Sequence, residues 1–396
     1  MIRTPPLLVQ PSSGLRVDVE EIPVPNQYHM FDSEKKNNNL HDLLSCQHVI
    51  FSGGGLRCVF HLIAMIYLET ISRLSDISTP SWLEQVKGYA GSSGGAVIGL
   101  LMTLNVDPLL ALHLILQLPF ASLYKSVPIT NWLSDKAIFS GTFLDNLLTG
   151  AMLNRCGRRN ITFAQLRIIT GKSLVVRTVN LSHMKLHCFC DQCTPNANVI
   201  DAVIASTSIP FVLSPAIIED CQHVDGGLLQ NTPVAFFEFP SLMLKINFYP
   251  DISDADSLLK RFLNKNNNTE VTKKTRNCED LAFYLRKVFR SENKPLWSNL
   301  ETGEIGNTEF LSRISCLVSA SSEYITVGEF KQQDRNHCIE FNTSQSPMDT
   351  AWIKNCGKLV TDSMETLFLH FRPIISPTQN LTVLAFSWFL LQRFIL

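Results

Sequence analysis

One serine of the chain stands in a setting that is typical of a catalytic nucleophile. Ser93 is the centre of the pattern Gly-x-Ser-x-Gly, which runs from Gly91 to Gly95. The pattern follows the apolar run Val86–Ala90 and precedes the run AVIGLLMTL, so a strand, a tight turn and a helix are expected in succession. Small neighbours permit the strained backbone that exposes a serine hydroxyl, and the positive end of the helix would point at it. The alternative is a small-residue turn that serves packing only.

Three consecutive glycines form a second candidate site. Gly53, Gly54 and Gly55 lie between the apolar run His48–Ser52 and a helical pattern. Their backbone can approach an anion closely, and amides near the start of a helix can hold a phosphate or a reaction oxyanion. A dinucleotide-binding motif would require glycine at position 58, where this chain has Cys58. The glycines therefore favour an oxyanion site, and a structural turn is the alternative.

A serine nucleophile also needs a base, and the sequence offers two kinds. In the segment 223–227 (HVDGG), Asp225 ends an apolar run and is followed by two glycines. Held close to Ser93, its carboxylate can take the hydroxyl proton directly. A Ser-His-Asp hydrolase would need a histidine instead, and His223 would lie on the same side of a strand as Asp225. The other histidines after Ser93 stand in no distinctive setting: His113, His183, His187, His337 and His370.

Taken in order, these motifs resemble those of the patatin-like phospholipase family. The matching segments are GGGLR (53–57), GSSGG (91–95), ASTSIP (205–210) and DGG (225–227), followed by Asn231-x-Pro233. Residues 139–141 (FSG) and 162–166 (TFAQL) are further landmarks between them. The resemblance covers about half the chain, residues 47–240, and is greater to small bacterial and viral members than to long animal ones.

The resemblance implies a catalytic dyad without a third residue, and chemistry that needs neither a metal nor a cofactor. Ser93 would be the nucleophile and Asp225 the general base. Four backbone amides would form the oxyanion hole, those of Gly53, Gly54, Gly55 and Gly94. Five more residues would support the turns: Arg57, Gly91, Gly95, Gly226 and Gly227. The chain departs from the family at Cys58, where the motif usually has glycine, so a less well fitted turn is expected rather than lost activity.

The elements that position these residues predict an α/β fold. Apolar, strand-like runs alternate with helical patterns such as Leu56–Leu74, which indicates a mainly parallel central sheet. The predicted strands are His48–Ser52, Val86–Ala90, Ser173–Leu181, Lys185–Phe189 and Ile217–Val224. With the resemblance, the expected architecture is a patatin-like three-layer α/β/α domain with a helical C-terminal extension. Asp107-Pro108 predicts a capped helix start.

Three regions are expected along the chain. Residues 1–46 hold five prolines and are predicted to be a partly disordered N-terminal arm. Residues 47–240 would be the hydrolase domain. Residues 241–396 would be a C-terminal region with an Asn-rich basic loop and helices, and 381–396 a packed or amphipathic helix rather than a transmembrane anchor.

Composition excludes some classes of function. Lys and Arg total 34 against 35 Asp and Glu, so the net charge of −1 argues against a nucleic-acid binder. Hydrophobic residues make up 45%, which argues against global disorder. Residues 260–294 are locally basic, with ten Lys or Arg and four Asp or Glu, and suit either an anionic membrane surface or a solvated face.

Cysteine usage indicates a reducing compartment. The chain has 11 cysteines, an odd number, and its first residues lack the pattern of a secretory signal, so a cytoplasmic protein with free thiols is expected. Cys190-x-x-Cys193, close to Cys188, is half of a zinc pattern, and His183, His187 and Cys221 are near in sequence or by expected pairing. Without a second CxxC, ordinary reduced thiols are the favoured interpretation and no metal is expected.

The sequence therefore predicts a lipid acyl hydrolase. The expected enzyme is a serine carboxylic ester hydrolase (EC 3.1.1.-) of phospholipase A type that acts in lipid degradation through an acyl-serine intermediate. Phospholipids or other acyl lipids would be its substrates, and it could attach peripherally to a membrane. Two alternatives remain: a catalytically silent module that binds lipid or protein, and a Ser-His-Asp hydrolase of small esters.

Overall fold

The computed structural model describes residues 40–75, 81–117, 137–139, 141–234, 241–248, 336–343 and 356–394. Its α-helices are α1 Leu40–Leu44, α2 Val59–Ser75, α3 Trp82–Gln85, α4 Gly94–Thr103, α5 Pro108–Leu116, α6 Thr142–Cys156, α7 Phe163–Thr170, α8 Val199–Thr207, α9 Cys356–Phe371 and α10 Pro377–Phe394. Its strands are β1 His48–Phe51, β2 Gly88–Ser92, β3 Ala137–Phe139, β4 Ser173–Asn180, β5 Lys185–Phe189, β6 Phe211–Leu213, β7 Ala216–Ile218, β8 Cys221–Asp225, β9 Ser241–Phe248 and β10 His337–Thr343. Most of the predicted arm and the basic segment 260–294 lie outside the described residues.

An eight-stranded sheet organises most of these elements, and β3 and β6 pair in parallel in a separate two-stranded sheet. The order of the larger sheet is β10-β9-β1-β2-β4-β8-β7, and β5 pairs with β4 off this path. The five strands from β10 to β4 are mutually parallel, whereas β5, β7 and β8 join antiparallel. The predicted fold class, α/β with a mainly parallel central sheet and a helical C-terminal part, is confirmed.

The sheet is apolar on both faces, as parallel strands require. One face carries Phe51 and Leu244 and joins the large core to which residues of the described helices belong. The other face carries a smaller cluster that includes Ile50, Val175 and Met243. The third layer of the predicted α/β/α arrangement stays a prediction.

The fold continues past residue 240, where the sequence predicted a domain boundary. Strand β9 begins at Ser241 and pairs in parallel with β1, so the sheet continues into the predicted C-terminal region. Helix α10 packs on α2, where the Tyr67 hydroxyl donates to Asn380 Oδ1 at 2.7 Å. The described part of residues 241–396 thus completes the core of the domain instead of extending from it.

Helix α2 is the central helix of that core. Together with the preceding 3-10 turn (Gly55–Cys58) it is the only helix, within the described ranges, long and apolar enough to cross a membrane. Of its most apolar window, 83% is buried inside the fold, as expected of a core helix.

Two local predictions had different outcomes. Asp107 caps α5, and its Oδ1 accepts hydrogen bonds from the N–H groups of Leu109 and Leu110 at 2.9 and 3.1 Å, which confirms the predicted start. The prediction of one strand over Ile217–Val224 is wrong. Glu219 and Asp220 have φ of 50° and 58°, so the chain reverses there and forms the hairpin of β7 and β8.

Candidate active site

The strand registers bring two carboxyl ends together beside β4. Ser92, the last residue of β2, lies opposite Arg177, and Asp225, the last residue of β8, lies opposite Thr178. Strand β5 pairs along the other edge of β4, so β2 and β8 share one edge and approach each other from opposite directions. The residues that follow β2 and end β8 therefore meet, although 132 positions separate Ser93 from Asp225 in the sequence.

Ser93 forms the sharp turn between β2 and α4. Its backbone has φ 53° and ψ −130°, a strained conformation for a residue with a side chain, and it is the N-cap of α4. Its N–H donates to Ser206 Oγ at 2.9 Å, and Ser206 Oγ donates to the Arg177 carbonyl at 2.6 Å. These bonds fasten the turn to the end of α8 and to β4.

Asp225 is buried, with 4% of its surface exposed, and its carboxyl lies near enough to the Ser93 side chain for that hydroxyl to lower its pKa. The Gly227 N–H donates to Oδ1 at 2.7 Å. Burial raises the pKa of Asp225 to about 6, and the nearby Ser93 hydroxyl and the Gly227 N–H oppose that rise without cancelling it. The structure thus places the two predicted catalytic side chains beside each other.

The glycine-rich loop lies against the nucleophile. A Cβ placed on Gly53 would collide with Asn231 Oδ1 and stand 3.1 Å from Ser93 Cβ, so glycine leaves room for both neighbours. The Gly53 N–H, however, donates to the Asn231 carbonyl at 3.0 Å, and Asn231 Nδ2 donates back to the Gly53 carbonyl at 3.1 Å. This engaged amide cannot also hold an oxyanion, so we remove Gly53 from the four predicted donors and assign it a positioning role.

The other three predicted donors remain available. Within the described part of the chain, the N–H groups of Gly54, Gly55 and Gly94 have no hydrogen-bond acceptor. Gly55 has φ 55°, and its carbonyl oxygen would lie 2.6 Å from a Cβ on Gly94, so the loop and the start of α4 are in contact. The Arg57 N–H and Nε both donate to the Gly54 carbonyl, at 3.1 and 3.3 Å, and orient that peptide.

Cys58 fits the turn that it was expected to disturb. It ends the 3-10 helix and is buried, with its Cβ 3.0 Å from where a Cβ on Gly94 would stand. The missing side chain at Gly94 thus makes room for the one at Cys58. The predicted loss of fit is not seen in these contacts.

The supporting glycines allow α4 and the strands to approach closely. A Cβ on Gly95 would lie 2.5 Å from the Ser52 carbonyl oxygen, and one on Gly226 would lie 2.5 Å from the Arg177 carbonyl oxygen. A Cβ on Gly91 would collide with the backbone of Gly95. Gly227 instead serves through its N–H to Asp225.

Histidine does not complete the site in the described residues. His223 Nδ1 lies 3.1 Å from Thr178 Oγ1, and its ring packs against His187 and Phe189 instead of Ser93. Burial lowers the pKa of His223 to about 3, so this ring is neutral at pH 7. The geometry favours the dyad over a triad.

Sequence reasoning missed two positioning contacts. Ser206 lies in the matched segment 205–210, but nothing local indicates that its hydroxyl links Ser93 to Arg177. Arg177 is a buried cation in an apolar strand, and its Nε and Nη2 donate to Gln230 Oε1 at 3.0 and 2.6 Å. An arginine inside a predicted core strand is the signal that could have indicated such a partner.

Comparison with known proteins gives matches to the same region. Residues 49–238 match the protein-family model described as patatin-like phospholipase. The probable lipid hydrolase 463L of Invertebrate iridescent virus 6 is 26% identical over 192 residues, which are 47% of this chain and 61% of that protein. The uncharacterized protein R571 of Acanthamoeba polyphaga mimivirus is 30% identical over 119 residues, 30% of this chain and 34% of that protein. The chain thus spans less than two thirds of either relative.

Solved structures with lower identity also align. VipD from Legionella pneumophila aligns with a TM-score of 0.43 and 13% identity, over 87% of this chain and 67% of that one. The complex of full-length SpcU with full-length ExoU from Pseudomonas aeruginosa gives a TM-score of 0.34 and 11% identity, over 87% and 91%.

Proposed function

Residues 49–238 carry a patatin-like phospholipase domain, and from this premise we propose that the protein hydrolyses acyl esters of lipids, phospholipids above all. The observation that carries the proposal is that the Ser93 side chain lies beside the buried Asp225 carboxyl and lowers its pKa. A nucleophile and a base in contact, beside unpaired amides, are the parts that acyl transfer requires.

The proposed reaction has two halves. In the first, the Asp225 carboxylate accepts the Ser93 hydroxyl proton while Oγ attacks the ester carbonyl carbon. The resulting oxyanion is held by the N–H groups of Gly54, Gly55 and Gly94, and collapse breaks the ester bond. The alcohol leaves with the proton from Asp225, and the acyl group stays on Ser93.

In the second half, water replaces the alcohol. Asp225 takes a proton from the water as its oxygen attacks the acyl carbon. The tetrahedral intermediate is stabilised by the same amides, and its collapse returns the proton to Ser93 and releases the fatty acid. Substrate, water and products balance without a metal or a redox step.

The environment of Asp225 supports its role as the base. An exposed carboxylate is a weak base at neutral pH, and a general base works best when its pKa lies near the working pH. Burial brings the pKa of Asp225 to about 6. A carboxylate at that pKa is mostly ionised at pH 7 and still accepts a proton more readily than an ordinary aspartate.

The setting of the enzyme is part of the proposal. We propose a cytoplasmic protein that meets its substrate at a membrane surface, with the basic segment 260–294 as the attachment region. The eight cysteines whose side chains the structure describes are all free, which supports a reducing compartment. Such attachment predicts weaker binding to anionic vesicles at high salt.

The test is hydrolysis of a panel of phospholipid vesicles and neutral-lipid emulsions by wild type, Ser93→Ala and Asp225→Asn. Each variant should lose about 10³-fold or more in kcat/KM, because the reacting pair acts as a unit. Matched controls are Ser363→Ala, a buried serine of α9, and Asp145→Asn, a partly exposed aspartate of α6. Both should keep wild-type activity.

Labelling by a fluorophosphonate separates an enzyme from a silent binding module. The probe should modify wild type at Ser93 and leave folded Ser93→Ala unmodified. Wild-type activity in both dyad variants would contradict the mechanism. An unlabelled, inactive wild type that still binds vesicles would favour the binding module, and a loss of activity in single histidine variants would favour a triad.

A further inference from the structure

Three thiols converge on the edge of β4 that the proposed dyad does not use. Cys188 lies in β5, and Cys190 and Cys193 lie in the turn that follows. The three sulfur atoms all lie within 4.8 Å of one another. Cys188 and Cys190 are buried and Cys193 is exposed, so the cluster is closed on one side and reachable from the other.

The spacing of the sulfurs is close to that of a metal site. Zinc binds thiolates at about 2.3 Å in a tetrahedral arrangement, which corresponds to sulfur–sulfur separations of about 3.8 Å. The three thiols therefore need to close by no more than about 1 Å to share one ion. Soft and borderline cations prefer thiolate ligands, whereas calcium and magnesium prefer oxygen ligands.

The turn that holds the cluster is already ordered around the sulfurs. The Cys193 N–H donates to Cys190 Sγ at 3.2 Å, and a hydrogen bond of this kind favours a negative sulfur. The Thr194 N–H donates to the Cys190 carbonyl at 3.0 Å, and the Cys190 N–H donates to Thr194 Oγ1 at 3.1 Å. Little backbone movement is needed for an ion to bind.

Charge balance supports a divalent ion at this place. Three thiolates and one divalent cation carry a net charge of −1, which is costly to bury alone. Arg177 is 2% exposed, lies opposite Cys188 in the strand register and interacts electrostatically with Cys188 and Cys193. Its positive charge would balance the net charge of the three thiolates and the ion.

A carboxylate lies next to the thiol cluster in the sequence. Asp191 lies between Cys190 and Cys193, and within the described residues its buried Oδ1 has no hydrogen-bond partner. The ligands of metal sites commonly donate hydrogen bonds to nearby acceptors, and a water bound to the ion would donate one to Asp191.

We propose that Cys188, Cys190 and Cys193 bind one zinc-class divalent cation, with water as the fourth ligand and Asp191 as its acceptor. The sequence showed only half of a zinc pattern, and strand alternation adds the third thiol. The ion would tie the turn after β5 to β4, whose Arg177 carbonyl accepts a hydrogen bond from Ser206 Oγ, which in turn accepts one from the Ser93 N–H. It does not depend on the proposed lipid hydrolysis.

The test is metal binding by the full chain purified under reducing conditions. We expect about one equivalent of zinc by mass spectrometry of the elements. Replacement with Co²⁺ should give thiolate-to-metal charge-transfer absorption and the visible bands of a tetrahedral ion. Single Cys188→Ser, Cys190→Ser and Cys193→Ser variants should bind at least about 100-fold more weakly, since each removes a ligand.

Cys156→Ser, on α6 and outside the cluster, should bind zinc like wild type, and Asp191→Asn should weaken binding by about 10-fold. Because Cys193 is exposed, Cys193→Ser is the variant expected to stay folded if the buried ones fail. A wild type with three free thiols and no zinc, a disulfide within the cluster, or equal zinc binding by folded Cys193→Ser would overturn the proposal.

Discussion

The two edges of strand β4 carry two sites built by different means. Along one edge, β2 and β8 meet and present Ser93 and Asp225. That site depends on the backbone: a serine at positive φ, glycines that touch neighbouring carbonyl groups, and free amides. Along the other edge, β5 presents the thiol cluster, which depends on side chains beside a buried arginine. The first site should therefore be disrupted by adding a methyl group and the second by removing a sulfur.

The largest expected effect is that of Gly95→Ala, beside the site that contains Ser93 and Asp225. The added Cβ would lie 2.5 Å from the Ser52 carbonyl oxygen and 2.6 Å from that of Phe51, so α4 must move off β1. Because backbone atoms cannot rotate away as side chains do, we expect about 3 kcal/mol or more of destabilisation. Urea unfolding followed by circular dichroism measures it.

Gly150→Ala is the matched control for this prediction. Gly150 lies inside α6, and a Cβ there would meet nothing within 4 Å. Removal of an unneeded helical glycine should raise stability by about 0.5–1 kcal/mol. If Gly95→Ala were as well tolerated as Gly150→Ala, the tight approach of α4 to β1 would be disproved.

The second effect is a pH dependence that belongs to the dyad edge. Its base works only when deprotonated, and burial raises the pKa of Asp225 to about 6. Activity should therefore be full above that pKa and fall about tenfold per pH unit below it. The measurement is kcat/KM from pH 4.5 to 8 on a neutral ester that does not itself titrate.

The residual activity of Asp225→Asn is the control for the pH profile. It should lack the acid limb, because the asparagine amide does not titrate. The same variant should also be at least as stable as wild type at pH 8, since a raised pKa means that ionising Asp225 costs folding free energy. An acid limb near pH 4 in wild type would contradict the role of a buried base.

The sequence could predict the local part of the site that contains Ser93 and Asp225. The pattern around Ser93 and the glycines of 53–55 are local, so the strand, turn and helix followed from neighbouring residues. The contact between Ser93 and Asp225 follows from a register along β4, and no local pattern encodes it. That register could be anticipated only from the resemblance to a family, and the loss of Gly53 as a donor depended on Asn231, which is also distant in sequence.

Other features escaped prediction for physical reasons. Glu219 and Asp220 adopt positive φ without a glycine to signal a turn, so one predicted strand became a hairpin. The continuation of the sheet past residue 240 was not predicted, because the place of β9 beside β1 is decided by packing. At the thiol cluster, Cys190-x-x-Cys193 showed two ligands, and Cys188 joins them only once β5 is known to be a strand.

The smallest expected effect isolates the strain stored at the nucleophile. Ser93 has φ 53° and ψ −130°, a conformation that glycine adopts freely and alanine does not. Ser93→Gly should therefore be more stable than Ser93→Ala by about 1 kcal/mol, although both lack the hydroxyl and should both be inactive. The comparison of two inactive variants removes catalysis from the measurement, and differential scanning calorimetry detects the difference.

At the thiol cluster, no such backbone strain occurs at the described residues Cys188, Cys190 and Cys193, so Cys193→Gly should gain nothing over Cys193→Ala. Equal stability of Ser93→Gly and Ser93→Ala would mean that the turn is held without strain, and the contrast between the two edges would then rest on the glycine contacts alone.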